Sequence, residues 1–245
     1  MTEPGLPTAS ADPAGHAISA VSGLQVHVHV QDLTLAWPGQ PALFRHWHFE
    51  LAPGLHHLQG ERGKTSLIQL LAGEAQALAA CSAGRFHLNG EAWQPAAGVP
   101  RVFHLDPRSP AWNGHTPEAI QAEVARRQGA RFDLDGWQHY LEGLALQPHL
   151  GKRMDMLSTG SRRKVMLAAT LASGADLLLL DDATAGLDQP SLAWLGAALA
   201  ELAQSAELAV GSSTSAVPAP VCLIAAPWGL QDELPWASTL DLPEG

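Results

Sequence analysis

Lysine and arginine are missing from the first 44 residues of this 245-residue chain. A secretory signal needs a basic start and a transit helix needs arginine, so neither is expected. Cysteine is scarce, with only Cys81 and Cys222. Two cysteines cannot frame a disulfide-stapled fold, which fits a reducing cytoplasm. No apolar run reaches the roughly 18 residues of a membrane span, so no crossing helix is expected. Charged residues make up only 16% of the chain, against about 25% in an average soluble domain. That shortage points weakly to surface covered by a partner. A formal net charge of −10 argues against a protein that coats nucleic acid.

Apolar residues are plentiful, at 46%, as in an ordinary globular chain. Residues 1–22 are rich in Ala, Pro, Gly and Ser without periodicity and read as a disordered tail, leaving 23–245 as the folded domain. Val26, Val28 and Val30 alternate with polar residues, a period-2 strand. Further strands are expected over Arg45–Leu51, Leu55–Gln59, 85–90 and 101–105. The stretch from about 110 to 173 changes character, with helical spacing over Pro117–Arg127, Leu134–Leu144 and Ser161–Ala172. Leu177–Leu180 is apolar on both faces, as a central parallel strand is. Asp188 is placed to cap a helix running to about Gln204, and Leu208–Val210 and Val221–Ala225 are candidate later strands.

Chemistry concentrates where the Leu55–Gln59 strand meets Gly60-Glu61-Arg62-Gly63-Lys64-Thr65-Ser66 and a helix. Consecutive backbone N–H groups in such a turn make an anion nest at a helix N-terminus. Lys64 would reach the β- and γ-phosphates of a nucleotide, and the Thr65 hydroxyl would ligate Mg²⁺. Alone, Gly-Lys-Thr is a weak signal, since any glycine turn before a helix looks similar. A second cluster strengthens it. Leu157-Ser158-Thr159-Gly160-Ser161 opens a helix, Leu177–Leu180 ends in Asp181-Asp182, and Ala185-Gly186-Leu187-Asp188 follows.

This order, over about residues 24–215, resembles the ATP-binding cassette (ABC) ATPases, the motor subunits of ABC transporters. The resemblance implies an α/β fold. It has a P-loop core with a parallel sheet, an N-terminal antiparallel β-subdomain and a helical subdomain inserted at about 110–173. It also implies head-to-tail pairing of two cassettes, as a homodimer or with another cassette, with ATP between one phosphate loop and the other's signature. Trp37 falls where the family stacks an aromatic on adenine. Asp181 matches the carboxylate that holds Mg²⁺ through water. The Ser158 hydroxyl and the N–H groups of Gly160 and Ser161, in the segment with Thr159, match groups that touch the partner's γ-phosphate. The expected function is an ATP-binding subunit that binds and slowly hydrolyses ATP to drive a separate permease. Its place would be cytoplasmic, peripheral to the inner membrane. The alternative is a non-catalytic cassette acting as a structural or regulatory partner.

Four positions depart from the family pattern. The phosphate loop is two residues short, unless the alignment instead sets Leu58 where the first glycine belongs. The Q-loop position holds Asp106, which repels phosphate but can coordinate Mg²⁺. Asp182 replaces the catalytic Glu, leaving its carboxylate about 1.5 Å further from the water it must polarise. Gly211-Ser212-Ser213-Thr214 stands where the switch histidine is expected, after a strand at 208–210. The pairs His27/His29 and His46/His48 have a spacing that can bind metal, but no carboxylate or cysteine constellation completes a site. Arg162-Arg163-Lys164 is most simply the polar face of the signature helix.

Overall fold

A computed structural model of the chain describes residues 28–96, 101–210, 219–225 and 227–243. The expected tail, and the first positions of the first strand with His27, lie outside them. Four strands form an antiparallel sheet: β1 (Val28–Leu35), β2 (Phe44–Leu51), β4 (Cys81–Leu88) and β5 (Glu91–Trp93). Their order is β2-β1-β4-β5. The period-2 pattern of β1 slips by one residue at Asp32, which adopts a positive φ of 56°. The pairing register shifts there, so Val28, Val30, Leu33 and Leu35 all reach the same buried side.

The second sheet is parallel and has the order β6-β7-β8-β3-β9. Its members are β3 (Gly54–Gln59), β6 (Val102–Phe103), β7 (Leu177–Asp181), β8 (Val221–Ala225) and β9 (Trp236–Asp241). Alternate residues of these strands feed two cores. Leu55, Leu178, Leu180, Cys222 and Ile224 face one. Leu58, Leu177, Leu179, Val221 and Leu223 face the other. The first core is closed by α3 (Pro117–Gln128), α4 (Leu134–Gly143), α5 (Thr159–Leu171) and α6 (Gln189–Val210). The second is closed by the antiparallel sheet and α1 (Lys64–Leu71), with the short α2 (Ala75–Ala80) beside it. Both faces are covered, as a parallel sheet requires. Cys222, central in β8, is fully buried, and burial pushes its thiol up to about 12. Cys81 is half-buried at the start of β4.

Helices α3, α4 and α5 start where polar side chains satisfy their first N–H groups. Thr116 accepts from Ala119, Asp133 from Gly136 and Ser158 from Ser161. Asp188 caps α6 by accepting from the Ser191 N–H at 2.9 Å.

One expected strand is not a strand. Residues 208–210 are the last turn of α6, which runs past Gln204 to Val210. The reason is its apolar stripe: Leu195, Leu199, Ala203 and Ala206 are buried at helical spacing up to the final turn. Among the described residues the next strand after α6 is therefore β8, and the sequence runs on from it as Ala226-Pro227-Trp228. The segment Gly211–Thr214, assigned to the switch position from the sequence, lies outside the described residues.

Candidate nucleotide-binding site

Asp181, Ala225 and Leu58 occupy one row across β7, β8 and β3. Their strands are parallel, so all three stand at the same carboxyl edge of the sheet, where α/β folds place their ligands. One residue beyond Leu58 the chain leaves Gln59 and turns through Gly60–Gly63 into α1. The loop is thus four residues. Leu58 is a fully buried strand residue paired with Ala225, two residues before the turn begins.

Both loop glycines are required by their surroundings. Gly60 has φ 132°, and a Cβ there would lie 2.8 Å from Leu242 Cβ. Gly63 has φ 93°, and a Cβ there would lie 3.0 Å from the Phe44 ring. Gly63 also caps α1 without a side-chain acceptor, leaving the first N–H groups of the helix for an anion. Glu61 and Arg62 are exposed, while Lys64 and Thr65 are half-buried. The Lys64 ammonium donates to the Gly60 carbonyl, folding back over its own loop. The Trp37 indole N–H donates to the Ser66 hydroxyl at 3.3 Å, which ties the expected adenine-stacking residue to the first turn of α1. Gly60 and Lys64 also line a cleft of about 230 Å³ with His57, Gln59, Pro227, Trp228 and Gln231. Trp228, 67% exposed, was not legible as a site residue in the sequence. Its signal is an exposed aromatic three residues after the end of β8.

The carboxylates form a second group. Asp106 follows β6 and accepts from the Arg108 backbone N–H at 2.8 Å and from Arg108 Nε at 3.1 Å. Arg108 Nη2 donates to Asp181 Oδ2 at 3.2 Å. Glu74, after α1, has its carboxyl raised, first by burial, with His104, Asp106, Arg108 and Asp181 as ionisable neighbours. Asp182 adopts φ 53° and meets Arg163 Nη2 at 3.4 Å.

The ion implied for this group is Mg²⁺, with Thr65 and Asp181 to hold it. Hydroxyl and carboxylate oxygens suit that ion. The arrangement does not fit it, because the Asp181 side chain is only 7% exposed and is already engaged by the Arg108 guanidinium. Among the described residues, no group of three or more His, Cys, Asp or Glu side chains is set to hold a metal elsewhere. His29 pairs instead with Glu50, and His46 with Asp32.

The signature segment sits on the loop that follows β7. Ser158 Oγ accepts from the Ser161 N–H at 3.1 Å and donates to Ser161 Oγ at 3.0 Å. A Cβ on Gly160 would stand 2.5 Å from the Gly186 carbonyl oxygen, so only glycine permits this approach. Buried Arg163 donates to the Ala185 carbonyl, and Lys164 meets Asp188 at 2.6 Å. Lys164, then Ser191, hold the Asp188 carboxyl well below the usual carboxylate range. The basic cluster beside the signature is therefore mostly internal cement rather than a solvated face. Among the described residues, no hydrogen bond or ion pair joins 158–161 to 60–66 within the chain.

Relatives agree with this architecture. The chain is 34% identical over 162 residues to the cytochrome c biogenesis ATP-binding export protein CcmA of Rhodospirillum rubrum, covering 63% of this chain and 66% of that protein. It is 30% identical over 212 residues to the molybdenum import ATP-binding protein ModC of Albidiferax ferrireducens, covering 80% of this chain and 53% of that one. The chain therefore spans between about half and two thirds of the length of these curated relatives. Among solved structures, cbiO1 of Clostridium perfringens, part of the ABC transporter complex cbiONQ, superposes with a TM-score of 0.56 at 15% identity, over 82% of this chain and 78% of that one. That likeness shows the fold. Residues 53–185, more than half of the chain, match the ABC transporter family, and the chain belongs to that family of ATP-binding cassettes.

Proposed function

We propose that this chain is the nucleotide-binding subunit of an ABC transporter, binding ATP at Gly60–Ser66 and acting on a separate membrane permease. The observation that carries this reading is the row Asp181–Ala225–Leu58, which sets the loop, the start of α1 and the carboxylate at one sheet edge. The relatives' names, one an exporter and one an importer, support transport and leave its direction and cargo open. Among the described residues, no helix is long and apolar enough to cross a membrane, so a membrane role needs a partner that does. Trp37 would stack on adenine, Lys64 would swing from Gly60 to the phosphates, and Asp182 would polarise the attacking water. Ser158–Ser161 of a second cassette would close over the γ-phosphate. Binding is weak and turnover slow. The loop is short by two N–H donors, each worth about 1.5–3 kcal/mol to a charged acceptor, and Asp182 is held by Arg163.

Calorimetry of ATP binding to the wild type and Lys64→Ala tests the site. Weak binding that disappears in the variant is expected. Equal affinity in both, or sub-micromolar affinity in the wild type, would sink the reading. A second reading, a non-catalytic cassette that pairs with an active one, is favoured by the guanidinium lodged between Asp106 and Asp181. Steady-state hydrolysis separates the two: none in the purified protein supports the second.

A further inference from the structure

Asp106-Pro107-Arg108-Ser109 is a closed turn. The Ser109 N–H donates to the Asp106 carbonyl at 3.1 Å, and Pro107 fixes its own φ inside it. The turn aims Arg108 back at the carboxylate two residues earlier and onward to Asp181 on the neighbouring strand. One guanidinium thus spans two acidic side chains from separate elements, Nε to Asp106 and Nη2 to Asp181. Asp181 is almost out of solvent, while the Arg108 side chain is 57% exposed. The cation comes in from the open side and keeps N–H groups free toward it. Glu74 and His104 lie close by, Arg163 lines the same pocket as Pro107 and Asp181, and Arg162 donates to the Ser109 carbonyl of the same turn, but among the described residues Arg108 is the cation that pairs with Asp106 and Asp181.

An exposed ion pair is usually worth little. This one differs because its acceptor is buried, and an uncompensated buried carboxylate is costly. A guanidinium also matches carboxylate and phosphate oxygens with parallel N–H groups, which a lysine does not.

We propose that Arg108 is a built-in counter-ion, its guanidinium filling the place between Asp106 and Asp181 that a divalent cation would take, so that this cassette binds ATP without Mg²⁺. The proposal rests on the nucleotide-binding reading above and deepens it. In the wild type Arg108 screens both carboxylates from the incoming phosphates and offers its free N–H groups to them. Without Arg108, ATP meets two bare carboxylates and needs a metal ion to approach.

The test titrates a fluorescent ATP analogue into wild type and Arg108→Gln, each in EDTA and in Mg²⁺, and separately titrates Mn²⁺ alone into both, read by electron paramagnetic resonance. Wild-type affinity should agree within about twofold between the two buffers. The variant should bind at least about tenfold more weakly in EDTA, a change of about 1.4 kcal/mol, and recover in Mg²⁺. Mn²⁺ should bind Arg108→Gln and not the wild type, and should be lost again in Arg108→Gln/Asp181→Asn. Wild-type binding that collapses in EDTA would overturn the proposal without needing any variant. So would Mn²⁺ binding equally well to both proteins. A wild type that binds no nucleotide in either buffer defeats the nucleotide-binding reading instead, and the Mn²⁺ titrations still decide where Arg108 stands.

Discussion

His56 sits in the middle of β3 with both ring nitrogens committed. Nε2 lies 2.7 Å from the Ala52 carbonyl and Nδ1 lies 2.8 Å from the Ser238 hydroxyl. A carbonyl only accepts, so Nε2 carries the proton and Nδ1 accepts from Ser238. This is the neutral ring, and burial lowers its pKa from the usual 6.5. Below that value the unfolded chain takes up a proton that the folded chain refuses. Stability is therefore full above about pH 6.5 and declines as pH falls through it, by at most about 1.4 kcal/mol per pH unit. Urea denaturation across that range should show a slope in wild type that is reduced in His56→Gln. Equal slopes would mean that β3 tolerates the charged ring. Asp182 shows a different residue-level constraint. Its φ of 53° is a conformation that short polar side chains tolerate best, so the local backbone agrees with aspartate at this position.

Asp176 makes the strongest case at the level of elements. It precedes β7, is 3% exposed, and receives Arg101 at 2.9 Å, Arg131 at 2.8 Å and Asn89 at 3.0 Å. Those partners come from the start of β6, the end of the α3 segment and the β4–β5 turn, so one carboxylate fastens three elements. Asp176→Ala should cost about 2–4 kcal/mol, less than a fully buried pair because Arg131 is partly exposed. Chemical denaturation measures it, and a loss below about 1 kcal/mol would show the three elements to be held by packing alone.

The elements legible in the sequence are those whose burial writes a period. Leu177–Leu180 reads as a central strand because both its faces are covered, and Arg45–Leu51 reads as a strand because one is. β9 was not legible, since Trp236–Asp241 is an edge strand with its side chains mostly exposed and leaves no apolar pattern. The end of α6 was misread because Leu208 and Val210 alternate like a strand, although Leu208 is 76% exposed. The glycine turn is expected from spacing and Asp181 from the family resemblance, and the structure sets the turn and Asp181 at one sheet edge. Arg108 and Trp228 were not legible, because a turn and a strand order bring them there, and no local pattern encodes either.

For the whole molecule, head-to-tail pairing would use a signature already held rigid by its contacts with residues 185–188. Gly160 is the tight point, as any Cβ there meets the Gly186 carbonyl. In sedimentation, ATP should drive the wild type to a dimer and fail to do so for Gly160→Ala. A monomer at every nucleotide concentration would instead indicate a different cassette as partner, or none.

The two thiols have a practical consequence. Cys222 is sealed between β7 and β3, and burial leaves it protonated over the whole ordinary pH range. Cys81 is partly accessible at the rim of the other sheet. A maleimide dye added to the native molecule therefore marks a single position, slowly, since the Cys81 thiol is also raised by burial. That position pairs with Leu35, two residues before Trp37, so the dye sits next to the tryptophan expected to meet adenine. A second label can enter only when the parallel sheet opens. A reagent that lands beside Trp37 in the native molecule thus also counts, molecule by molecule, how often the sheet comes apart.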